Sequence, residues 1–191
     1  SPADSAPELD VLGSLGDDAE ARIGKPNEDL YGVRFMGDRV YMVTFERIDP
    51  LYVIDLSDPS QPSVIGELEV PGFSDLLHEV SDDLLLGLGS SDRFFPKLEL
   101  YNTSDVTSPT SQGLVELGAD MDWSYSPAQY NRYAFTYLAG DAFDRLTVPY
   151  AAGGLSDTED GEYVQVDRIA LFEIANKNTP EEASVVPVGE V

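Results

Sequence analysis

Apolar and polar residues alternate along this chain in short runs closed by turn signals. Val64, Gly66, Leu68 and Val70 alternate with Ile65, Glu67 and Glu69, the period of two expected of a strand with one wetter face. Val33 to Met36, a Gly37-Asp38 turn and Val40 to Phe45 predict a hairpin, because a Gly-Asp pair supports a tight reversal. Leu76 to Val80, Ser81-Asp-Asp83 and Leu84 to Gly89 repeat it, and the unbroken apolar run Leu84 to Leu88 predicts a strand covered on both faces. A third version reads Tyr125 to Tyr130, Asn131-Arg132 and Tyr133 to Leu138, with Pro127 interrupting its first strand.

After each hairpin comes a strand that ends in a polar turn and a proline. Leu51-Tyr-Val-Ile-Asp-Leu-Ser-Asp-Pro-Ser-Gln-Pro62, Leu98-Glu-Leu-Tyr-Asn-Thr-Ser-Asp-Val-Thr-Ser-Pro109 and Ile169-Ala-Leu-Phe-Glu-Ile-Ala-Asn-Lys-Asn-Thr-Pro180 align Val53 with Leu100 and Leu171. Asp, Asn and Ser side chains bond backbone groups about two residues on, and Pro fixes φ where the ladder needs no donor. The first two copies are 47 residues apart and the last two 71. The surplus falls most simply in an inserted loop at about 140–162, where Ala151-Ala-Gly-Gly154 and Ser156-Asp-Thr-Glu-Asp-Gly-Glu162 have a loop's composition.

A repeated four-strand unit must bury its faces against copies of itself, so the expected fold is all-β, with β-propeller blades of four antiparallel strands. One β-propeller region spans 1–191, with blades at 28–72, 73–118 and 119–191. Residues 8–27 are expected to hold the remnant strand of a preceding blade and a linker. Three blades plus a remnant make a partial propeller, the alternative being a closed four-bladed ring. An open arc would leave two apolar sheet faces uncovered and favour self-association.

Asp49 to Pro59, Gly66 to Ser74, Leu77-His78 and Asp83 to Gly89 resemble secreted prokaryotic proteins with a C-terminal β-propeller domain distantly related to WD-40 repeats. Tyr31 to Phe45, Tyr130 to Tyr137 and Leu146 to Pro149 resemble the same family, although Asn131 stands where a histidine is usual. The resemblance covers roughly residues 8–175. It implies a bacterial or archaeal protein, secreted or otherwise extracytoplasmic at the cell surface or in the periplasm, and supplies no catalytic residue.

Thirty-six Asp and Glu face 11 Lys and Arg, a formal net charge of −25. Such a surface repels phosphates and anionic headgroups, so nucleic acids are poor partners, and it is compatible with either a salt-rich solvent or an ordinary acidic exoprotein. The absence of cysteine excludes disulfides and thiolate chemistry. No apolar stretch approaches the roughly 20 residues of a membrane span, so no membrane insertion is expected.

Catalytic signals are sparse. His78 is the single histidine and lies in a strand signal, where a structural role across blades competes with a triad role. Asp157, Glu159, Asp160 and Glu162 around Gly161 form the candidate metal site, with calcium as the cation because it takes six to eight oxygens; a solvated acidic loop is the alternative. Asp141 and Asp144 are further candidates, and no other cofactor is expected. Phe94, Phe95, Trp123, Tyr125 and Phe143 fall in or near connections, where rings stack on a protein or glycan ligand or pack between blades. The favoured function is therefore a non-enzymatic extracellular binding or scaffold module. The alternative is a hydrolase or lyase acting on an extracellular polymer through channel carboxylates.

Overall fold

A computed structural model describes residues 9–16, 23, 29–45, 49–155 and 161–191. They form thirteen strands in three antiparallel sheets. The first sheet holds β1 (Asp29–Met36), β2 (Arg39–Phe45), β3 (Asp49–Asp55) and β4 (Ser63–Val70); the second holds β5 (Phe73–Ser81), β6 (Leu84–Ser90), β7 (Pro96–Asn102) and β8 (Thr110–Glu116). In the third, β9 (Trp123–Tyr125) and β10 (Thr136–Leu138) both pair with β11 (Asp144–Leu155), followed by β12 (Tyr163–Ala175) and β13 (Ser184–Glu190).

The repeat extends to individual hydrogen bonds, in two copies at the first turn and in all three at the next. Ser57 N–H donates to Asp55 Oδ1 at 2.8 Å and Ser104 N–H to Asn102 Oδ1 at 2.9 Å. At the next turn Gln61, Ser108 and Thr179 donate backbone N–H to the carbonyls of Asp58, Asp105 and Asn176. Pairing with the last strand of each sheet slips at Val53/Ile54, between Glu99 and Tyr101, and at Leu171/Phe172, so the same β-bulge recurs at one repeat position.

The second sheet lies between the other two, and β6 and β7 are buried along their whole length. Leu84, Leu86, Leu88, Leu98 and Leu100 pack on Leu146, Val148, Ala170, Phe172 and Ile174 of the third sheet. Leu77, Leu85 and Tyr101 pack on Tyr41, Val43, Leu51 and Val53 of the first. Each fully buried Leu stabilises by about 1.5–3 kcal/mol. The first strands of successive sheets also meet, through an Arg34–Glu79 ion pair at 3.0 Å and a His78–Tyr137 ring contact at 4.1 Å. The result is an open, partial propeller.

Two expectations require correction. The loop expected at 140–162 is strand from Asp144 to Leu155. Its Ala and Gly residues mark close packing: a Cβ on Gly153 would lie 2.8 Å from the Trp123 indole, and one on Gly154 2.8 Å from the Asp122 nitrogen. The hairpin expected over Tyr125 to Leu138 is instead two short strands split by 3-10 turns at Pro127–Gln129 and Arg132–Ala134. Ser126 Oγ accepts from Ala128 N–H at 3.1 Å, Gln129 Oε1 from Ser126 N–H at 2.9 Å, and Asn131 Oδ1 from Tyr133 N–H at 3.1 Å, so capped turns displace the ladder. Of the remnant expected at 8–27, residues 9–16 carry no strand and pass the β3–β4 turn beside Pro59; Ile23 apart, the rest lies outside the described residues.

Candidate functional site

The β6–β7 turn, the β8–β9 link and the β11–β12 hairpin share one end of the sheets, and Arg93 ties the first two by bonding Glu116 at 3.0 Å and the Ala119 carbonyl at 3.5 Å. Phe94 projects there, 73% exposed and held at φ 64°, a conformation costly for a residue with a Cβ. Phe95 turns inward beneath the Arg93 guanidinium, 4.6 Å from its ring centroid. Phe143 sits at the opposite end, beside Arg145.

Trp123 and Tyr125 occupy alternate positions of β9 and so share a face. Their ring planes lie within 15° of each other, centroids 6.1 Å apart. The indole N–H donates to Tyr163 Oη at 2.5 Å, and the indole lies against the bare Gly153 Cα. Across β11, Trp123, Gly153 and Gln165 form one row and Tyr125, Ala151 and Asp167 the next. Small residues thus make a floor between an aromatic side and a polar side. Tyr163, Gln165 and Asp167 escaped the sequence reading, although their alternation behind the acidic loop is a strand's.

The Lys97–Glu99 and Asp144–Lys177 pairs are closed into structural networks. Lys97 and Glu99 are buried on β7 at 2.7 Å, with Lys97 also donating to the Pro71 carbonyl and Glu99 accepting from Tyr101 and Ser111. Asp144, buried, accepts from Lys177 at 2.6 Å, Gly140 N–H at 2.8 Å and Tyr137 Oη. Burial opposes its charge, but these donors prevail and hold its carboxyl below the usual range, while burial and the Asp144 carboxylate push the Tyr137 phenol up. His78 packs against Tyr137 and Phe135, and burial, then Arg34, lower its pKa. Asp75, at a bulge in β5, is pushed up to about 6 by burial.

Of the metal candidates, Asp157, Glu159 and Asp160 lie outside the described residues, and Glu162 is exposed just before β12. Among the described residues no three potential ligands group around a cation position, and no helix is long and apolar enough to cross a membrane.

The outer face of the third sheet is open. Leu51, Leu98 and Ile169 are equivalent in the repeat, as are Val53, Leu100 and Leu171; the first two of each set are fully buried, yet Ile169 is 46% exposed and Leu171 partly so. A cleft of about 430 Å³ lined by Tyr125, Pro127, Pro149, Ile169 and Val191 runs along this face. A sequence profile described as a beta propeller domain matches residues 4–190. The chain belongs to the beta propeller domain family. An uncharacterized protein of Methanocaldococcus jannaschii is 42% identical over 110 residues, covering 58% of this propeller chain and 17% of that relative. One from Archaeoglobus fulgidus is 36% identical over 132 residues, covering 60% and 21%. The propeller chain therefore spans about a fifth of the length of the curated relatives it matches.

Proposed function

We propose that this propeller section is a non-enzymatic binding or scaffold module working outside the cytoplasm, with a protein or glycan as its ligand. The supporting observation is the contrast between its buried ion pairs and its rim aromatics. Lys97–Glu99 and Asp144–Lys177 are consumed in packing, whereas Phe94, Tyr125 and Tyr163 stand exposed at one rim. Exposed rings placed by a rigid scaffold are the usual currency of recognition. The open sheet face supports the scaffold part of the reading: it matches faces that the first two repeats bury against a neighbouring blade.

A glycan and peptide binding screen tests this, run in low and high salt on this chain and on a longer relative. Saturable binding that is lost in rim variants supports it; a longer relative that binds nothing in either salt removes it. Asp75 favours one rival, polymer hydrolysis or lysis, because a carboxyl pushed up to about 6 suits a general acid. Release of reducing ends by the wild type but not by Asp75→Asn would establish that rival.

A further inference from the structure

The third sheet is longer than its neighbours in one direction only. Repeat alignment sets the starts of β3 and β7, Asp49 and Pro96, opposite Asp167, yet β12 begins at Tyr163. Four extra residues at about 3.3 Å each carry the β11–β12 hairpin roughly 13 Å past the common edge. A further blade of ordinary length docked on the open face would stop near the Tyr125–Ala151–Asp167 row. It would leave the Trp123–Gly153–Gln165 row and Tyr163 uncovered. Trp123 and Tyr163 therefore stand outside the surface that blade stacking requires, with Tyr125 and Asp167 at its margin.

Their surroundings select a ligand class. Asp167 shares the open face with Tyr125 across Ala151, Asp120 and Asp122 lie in the adjoining link, and the chain carries a net charge of −25. The Asp122 carboxylate braces the hairpin by accepting from Leu155 N–H at 3.2 Å. Aromatic faces attract cations, and a surrounding negative field concentrates them. An anionic polymer is repelled, and a neutral one gains nothing from the charge.

We propose that Trp123, Tyr125 and Tyr163, with Asp167, bind an extended peptide segment rich in arginine or lysine, its guanidinium or ammonium groups lying against the rings and paired with the carboxylate. This rests on the binding-module reading and specifies its ligand. Trp123 is the single tryptophan of the chain, so its emission reports the site directly.

The test titrates the 191-residue chain with hexa-arginine and, separately, with a neutral chitin hexasaccharide, following tryptophan emission. Hexa-arginine is expected to change the emission saturably, with affinity falling about tenfold between low and moderate salt. Tyr125→Ala is expected to weaken binding about five- to tenfold at unchanged net charge, and Asp167→Asn, an exposed substitution that leaves the rings in place, by a similar factor. An undiminished response in Tyr125→Ala would show bulk attraction to an acidic protein and overturn the proposal, as would no response to either probe. A saturable, salt-insensitive response to the hexasaccharide would overturn the ligand class while leaving the binding-module reading standing.

Discussion

The second and third sheets are copies of one unit in two environments. In the second, Leu98 and Leu100 are fully buried because a blade covers each side; in the third, the equivalent Ile169 and Leu171 meet solvent on one side. The sequence of each strand is nearly as apolar in both cases, so burial here is set by the neighbour and not by the strand itself. The third sheet differs further in carrying an extended hairpin with rings at its edge. Stacking and recognition thus occupy adjacent parts of one surface.

The sharpest way to break the comparison is to disturb the fully buried ion pair of the sealed sheet. Lys97→Met leaves the Glu99 carboxylate buried without its cation, and Glu99→Leu does the reverse to Lys97. Either single change is expected to cost about 3–5 kcal/mol in urea denaturation, because an unpaired buried charge keeps its desolvation penalty. The double variant is expected to recover most of that loss. Equal losses in single and double variants would mean that the pair's packing, and not its charge, governs the site.

Next in size is the aliphatic contrast. Leu98→Ala removes a side chain packed between the second and third sheets and is expected to cost about 2–5 kcal/mol. Ile169→Ala, the same repeat position on the open face, is expected to cost under about 1 kcal/mol. Similar losses at the two positions, read from urea midpoints at unchanged slope, would show that the third sheet's outer face is covered in solution.

That contrast also explains what was legible in the sequence. The turns were, because Asp55, Asn102 and the prolines act locally and need no partner. The all-β fold and the doubly covered β6 followed from the period of the apolar runs. β11 was hidden because its Gly153 and Gly154 answer to Trp123 and Asp122, which come from the chain before it. The split first strand was hidden because the caps at Ser126 and Asn131 compete with a ladder only in three dimensions. At the rim, Trp123 and Tyr125 were legible as candidate rings, but their pairing with Tyr163 and Asp167 depends on the strand register of β11.

A smaller effect separates half-buried Asp75 from buried Asp144 by sign. Asp75 holds its proton up to about pH 6 when folded, above its unfolded value, so stability falls as pH rises through the window from about 4 to 6 and the penalty persists above it. Asp75→Asn is expected to raise the melting temperature by a few degrees at pH 7.5 and to leave it unchanged at pH 4. Asp144 is depressed, so its contribution is present above about pH 4 and is lost as pH falls through its folded value. Asp144→Asn should therefore lower stability at pH 7 and flatten the acid limb. A parallel downward shift of both variants across the whole range would contradict these assignments.

The smallest expected effect on stability, and the most direct probe of the open face, is self-association. Exposed Ile169, partly exposed Leu171 and the adjoining cleft present apolar surface that the first two repeats bury, while the charge of −25 opposes contact between copies. Screening confines that repulsion to about 10 Å at 0.1 M salt and to shorter range above it, whereas apolar attraction persists. Mass by light scattering at micromolar concentration is therefore expected to rise with salt for the wild type. Ile169→Lys is expected to suppress that rise while melting at nearly the wild-type temperature, because the strand keeps its ladder and its buried face. A wild-type mass that stays monomeric across the salt series would show that the open face does not pair with a second copy.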